Sequence, residues 1–215
     1  MADHLLSPQS PDRVEATEFA VCSEPSIRRL DDATPAQWAA ADETAVSFDL
    51  AAPDRIMALL GLLDGVYDGF AVDQLVHARQ TATRAERAGA DEELVAAALL
   101  HDIGMLAGHD SHDRIAAELL RPHVRRDVCE AVRHHQDFAS RYSSPAFGSD
   151  PDMRNRWRDQ TWFAIAEQLI DEWDVLSFNP EYDTEPLEHF RPVIERIFGV
   201  APTLRTIAFT RRSRD

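Results

Sequence analysis

The stretch LVAAALL, residues 94–100, is apolar at every position and runs straight into His101 and Asp102. A helix that is apolar all round has to be buried all round. Whatever this chain folds into must therefore enclose that segment and deliver a histidine and an aspartate to its own interior. Burying a charge costs several kcal/mol unless it is paired or bound to a metal, so the two side chains must hold something. Apolar positions elsewhere follow a helical period as well. Ile56, Leu59, Leu60 and Leu63 form one stripe, and Leu75, Ala78, Ala82 and Ala85 form a second that Gly89 stops. Residues 112–124, 125–138, 158–178 and 186–199 add four more, and no convincing alternation of period two appears. The expected fold is all-α.

Thr34 and Pro35 open a helix as N-cap and first helical residue, and Asp91 caps the apolar one. Residues 1–50 read as an N-terminal extension with a short helix, of which 1–33 are surface-draped or disordered, residues 51–200 as one helical domain, and residues 201–215 as a tail. Residues 140–153 are rich in Ser, Pro, Gly and Asp and are expected to form a loop at a pocket mouth. The 22 basic residues are all arginine, against 38 acidic ones, for a net charge of −16. That balance argues against nucleic acid and anionic membranes as partners and favours a small-molecule substrate. No apolar run approaches the ~18 residues needed to span a bilayer, and no signal segment opens the chain. Cys22 and Cys129 form neither a disulfide framework nor a zinc motif. A cytoplasmic protein is expected.

His77 lies 24 residues before His101, on the preceding helix. Two antiparallel helices joined by residues 88–92 would bring it beside His101 and Asp102, and imidazoles with a carboxylate suit first-row transition metals.

The adjacent His101-Asp102 pair, with His77 upstream, resembles the motif of the HD superfamily of metal-dependent helical proteins, and the similarity covers roughly residues 55 to 198. The resemblance implies an HD-domain helical bundle around a metal site. It makes Asp174, in LIDEWDVLSF, the last ligand of the first metal. His112 and His135 stand where the dinuclear branch has the imidazoles of its second metal, and Asp102 would then bridge the two ions. His134 is the rival to His135, since neighbouring helical residues point about 100° apart.

A narrower similarity rests on Tyr67, ten residues before His77, and on residues 174–190. Both look like the mixed-valence diiron oxygenases that cleave aminoalkyl-phosphonates and are related to myo-inositol oxygenase. This resemblance implies two iron ions, Fe(II) and Fe(III), dioxygen as cosubstrate, and Tyr67 as a cap on one iron. The chain departs from that group at substrate-recognition positions. Phe70 stands for a Glu, Met105 for a His, Ser140 for a Lys and Asp171 for an Arg. Losing these cations makes a phosphonate dianion a poor fit. Asp171, one turn before Asp174, is expected on the same helix face, either meeting a cationic or hydroxyl-bearing substrate or supporting a ligand. Arg133, Arg141, Arg154, Arg156 and Arg158 could supply a carboxylate clamp but read mostly as solvated helix faces, and Trp157, Trp162, Phe163 and Trp173 read as core rather than as a substrate-stacking wall. The leading expectation is a diiron oxygenase acting on a small polar molecule. The alternatives are a dinuclear metal-dependent phosphohydrolase, weakened by the missing cations, and a protein that keeps metal for stability alone.

Overall fold

In the computed structural model, residues 27–148 and 150–199 are described, and among them every regular element is helical. The expectations for residues 1–26, including Cys22, and for 201–215 lie outside the described residues. A 3-10 turn at Leu30–Asp32 leads into α1, Pro35–Leu50. Thr34 accepts from the Gln37 N–H while the Gln37 side chain accepts from the Thr34 N–H, a reciprocal cap that satisfies two otherwise orphaned donors. α1 buries none of its residues and rests on α2, Ala52–Gly61.

On α2 the buried positions are Pro53, Ile56, Met57 and Leu60, continued by Leu63, each fully buried leucine contributing about 1.5–3 kcal/mol. Ile56, Leu60 and Leu63 are buried as the sequence reading expects, whereas Leu59 is on the outer side and Met57 is buried in its stead. α3, Gln74–Arg87, starts where Asp73 accepts from the Val76 N–H at 2.8 Å, and α4, Glu92–Leu100, where Asp91 accepts from the Leu94 N–H at 3.0 Å. Gly89, at φ +78°, makes the reversal that lays α4 back along α3.

A 3-10 turn, Ile103–Leu106, carries the chain to α5, His112–Leu120, which packs on α6, Arg126–Arg133. His134 breaks the helix at φ −116°, ψ 11°, and α7, His135–Phe147, starts in a new direction. Half of the loop expected over residues 140–153 is therefore the end of α7. α8, Phe163–Glu167, widens into a π turn, Gln168–Trp173, then tightens into a 3-10 turn, Asp174–Leu176. After an extended strap and a turn at Leu187–Phe190, α9, Arg191–Phe198, closes on α2 and α4. The core around α4 holds Leu99, Leu100, Leu120, Phe138, Leu169, Ile170, Trp173, Phe190 and Ile194, with Trp162 and Cys129 also buried. Trp157 and Phe163 pack against it half-buried. No helix among the described residues is long and apolar enough to cross a membrane.

Candidate metal centre

Each polar side chain of the centre is placed by a feature of local sequence. The α3–α4 reversal brings His77 Nε2 to 3.2 Å from His101 Nε2. His101 caps the C-terminus of α4, still at helical dihedrals (φ −56°, ψ −32°), whereas Asp102 departs from them at φ −104°, ψ 8° and swings its carboxylate across both imidazoles. Gly104 then meets the start of α5 so closely that a Cβ there would lie 2.3 Å from the His112 carbonyl oxygen and 2.5 Å from its Cα. This contact seats His112, whose Nε2 lies 3.0 Å from His135 Nε2. The π turn before Asp174 carries that carboxylate to 3.1 Å from His77 Nε2 and 3.6 Å from His101 Nε2. Such wide turns interrupt helices mostly at functional sites.

Asp102 divides its oxygens between two histidine pairs. Oδ2 lies 3.3 Å from His77 Nε2 and 3.4 Å from His101 Nε2, while Oδ1 lies 3.1 Å from His112 Nε2 and 3.3 Å from His135 Nε2. Despite these distances Oδ1 is buried without hydrogen-bond geometry to any partner. The donor atoms of each group lie within 4.8 Å of one another, close enough for a single ion to meet them all. All four imidazoles direct Nδ1 at a backbone carbonyl: His77 at Ser177 (3.0 Å), His101 at Ala98 (2.9 Å), His112 at His109 (2.8 Å) and His135 at Val132 (2.7 Å). A carbonyl only accepts, so Nδ1 carries a proton and each ring, when neutral, offers its Nε2 lone pair inward; at His112 the Gln136 amide nitrogen also lies 2.8 Å from Nδ1. His77, His101 and Asp174 form one group that can hold a metal ion, and His101, Asp102 and His135 a second.

The electrostatics point the same way. Burial pushes the Asp102 carboxyl up, but His101, His112 and His135 outweigh it and hold the group well below the ordinary carboxylate range. Asp174 is likewise lowered, burial being overcome by His101 and His77. Burial lowers His77, yet Asp102 and Asp174 carry it up to about 9, and His101 and His112 are raised by the same balance. Two buried carboxylates make this cavity a place that stabilises positive charge.

The structure brings six expected residues together, His77, His101, Asp102, His112, His135 and Asp174. His134 is elsewhere: its ring stacks on Trp162 with centroids 5.1 Å apart and lies against Trp157 at 4.1 Å. Tyr67 is 66 % exposed. Phe70 stacks on Phe178 at 4.1 Å, and Phe178 stacks on His77 at 4.3 Å. Ser140 donates its hydroxyl to the Asp137 carbonyl of its own helix, and Met105 packs half-buried on the core.

Asp171 does not share a face with Asp174. The π winding shifts the phase, so Asp171 turns away and accepts two hydrogen bonds from Arg154, at 2.7 and 2.8 Å, and one from Tyr142 at 3.0 Å. Arg154 is correspondingly only 4 % exposed, a buried cation rather than a solvated one. Gly104 and the Ser177 carbonyl, which orient His112 and His77, were not anticipated. A glycine two positions after Asp102 is a visible sign of close backbone approach, whereas a backbone carbonyl leaves no mark in a sequence.

No curated protein matches the chain. The family model of the HD domain matches residues 75–179, the stretch that supplies all six side chains of the cluster.

Proposed function

We propose that this protein is a dinuclear metalloenzyme, and specifically an iron oxygenase that oxidises a small polar molecule. The observation that carries the two-metal reading is the placement of Asp102, one oxygen turned to His77 and His101 and the other to His112 and His135. One ion would be held by His77, His101, Asp174 and Asp102 Oδ2, the other by His112, His135 and Asp102 Oδ1. Iron held by these residues would supply dioxygen activation and oxidation at a carbon of a chelating substrate.

The donor set supports iron chemistry over phosphate hydrolysis. Four neutral imidazoles and two carboxylates leave the ions Lewis-acidic enough to bind a substrate through neighbouring oxygen or nitrogen atoms. A phosphate ester would also need cations around it. Among the described residues the carboxylates of the cluster are met by imidazoles, and the buried guanidinium, Arg154, is already paired with Asp171. The chain's own part is to fix the imidazole tautomers through four backbone carbonyls and to keep the site acidic.

The deciding experiment is anaerobic loading with iron followed by metal analysis, EPR in both oxidation states and oxygen-uptake assays. Two irons per chain, a signal of the half-oxidised pair and substrate-dependent oxygen uptake are expected. Phosphatase or nucleotidase turnover under anaerobic conditions with redox-inert metals, and no oxygen uptake, would replace this reading with that of a phosphohydrolase.

A further inference from the structure

His77 is held differently from the other three imidazoles. His101, His112 and His135 each donate Nδ1–H to the carbonyl three residues before them, so their own helix ends or turns orient them. His77 sits inside α3 and donates instead to the carbonyl of Ser177, 100 residues away in sequence. The next residue, Phe178, lies flat on the His77 ring at 4.3 Å and 12°. The orientation of this one imidazole therefore depends on where a strap of irregular chain rests.

That strap is pinned to α3 by Gln80. Its amide donates to the Asn179 carbonyl at 2.7 Å and its amide oxygen accepts from the Asn179 N–H at 3.3 Å, so one side chain pairs with the strap as a neighbouring strand would. Gln80 is 1 % exposed and lies on the His77 face of α3, three residues on. Arg84, four residues further, donates to the Leu176 carbonyl at 2.9 Å, and Ser177 is tied back to Trp173 and Asp174. The same short segment thus carries Asp174 and the carbonyl that orients His77.

We propose that Gln80 is a positioning residue for the His77, His101 and Asp174 site, acting through Asn179 to hold the Ser177 carbonyl on His77 Nδ1. This inference rests on the metal-centre reading above. It requires that the two ion sites differ: the site of His112 and His135 has no such dependence on the strap. Outer partners of metal-bound histidines typically change affinity about 10–100-fold, and the effect should fall on one site only.

The test is a metal titration of full-length Gln80→Met, which keeps the volume and removes both hydrogen bonds, beside wild type and Gln80→Ala. A two-step titration with Co(II) should keep one step unchanged and weaken the other at least ~10-fold, the weakened step being the one that His77→Ala abolishes. In the metal-free protein at about pH 10, above the His77 value of about 9 so that the ring is neutral, long-range 1H–15N spectra should show His77 changing from an Nδ1–H ring to a mixture of tautomers, with His135 unaffected. Unchanged steps and an unchanged His77 tautomer would overturn the proposal, as would equal weakening of both steps together with loss of the fold in both Gln80 variants. Failure of wild type to take any ion would instead bring down the metal-centre reading and this proposal with it. Ions bound equally well by wild type and Gln80→Met would remove the role of Gln80 alone.

Discussion

His112 and His135 face each other Nε2 to Nε2 at 3.0 Å while each gives its Nδ1–H to a carbonyl three residues back. Two lone pairs so placed repel unless a shared proton or a cation lies between them, and His77 and His101 repeat the arrangement at 3.2 Å. The carboxylate between the pairs links the two sites through Asp102.

That dependence predicts an ordered set of metal contents. Wild-type protein loaded with iron should hold two ions per chain. His112→Ala should hold one, because His77, His101 and Asp174 are untouched, and Asp102→Ala should hold none, because both sites lose the shared ligand. Metal analysis alongside circular dichroism checks this. A wild-type ratio of one, or an Asp102→Ala protein that still holds two, contradicts a bridging Asp102.

Gly104 gives a prediction about backbone packing. A Cβ at 2.3 Å from the His112 carbonyl oxygen meets main chain, which cannot rotate aside as a side chain can. Gly104→Ala should lower stability by about 1–3 kcal/mol, the usual range for overpacking, and should displace His112 so that one ion is lost. Thermal melting with metal analysis reads both effects. Full stability and two ions in Gly104→Ala would mean that the turn and α5 separate at little cost.

How far the site could be read from sequence depended on whether a residue's direction followed from helical phase. His77, His101 and Asp102 follow from two capped helices and a glycine reversal, and Asp91, Asp73 and Gly89 all mark those boundaries. His134 and His135 could not be separated by phase because the helix breaks between them. Asp171 and Asp174 seemed to share a face only on regular α-helical winding, which the π turn abolishes. Residues 140–153 looked like loop by composition, but packing of Phe138 and the Arg154 bond to its carbonyl accompany a helix that continues to Phe147. Tertiary contacts override local composition in such places.

The Arg154–Asp171 pair predicts a pH effect independent of the metals. Burial raises Asp171, but Arg154 and Tyr142 outweigh it and hold its carboxyl below the ordinary value of 3.8. A depressed folded pKa stabilises the fold above the unfolded pKa, and that contribution is lost as pH falls through the folded value. Asp171→Ala at neutral pH strands a buried guanidinium and should cost about 3 kcal/mol. The stability difference between wild type and Asp171→Asn, from urea unfolding, should be largest near pH 7 and shrink below about pH 4. A difference that stays constant down to pH 3 would show that the pair contributes no charge-dependent stability.

The last prediction concerns which substrates the pocket admits, on the reading of the protein as an iron oxygenase. At the aligned recognition positions the side chains offer no free cation: Ser140 spends its hydroxyl on Asp137, and Asp171 is cancelled by Arg154. Phe70, 50 % exposed, continues a ring stack through Phe178 to His77, so that side of the centre is apolar where an acid would have met an ammonium. A phosphonate dianion entering this site would leave its hydration without meeting a compensating charge other than the ions, a loss of several kcal/mol. A hydroxy or amino carboxylic acid, or a neutral polyol, can still chelate through two adjacent heteroatoms and asks for less compensation. Oxygen uptake should therefore be appreciable for members of a panel of hydroxy acids, amino acids and polyols, and negligible for 1-hydroxy-2-aminoethylphosphonate. Efficient turnover of the phosphonate would show that a cation reaches the substrate after all, and Arg154→Met would then be the variant to locate it.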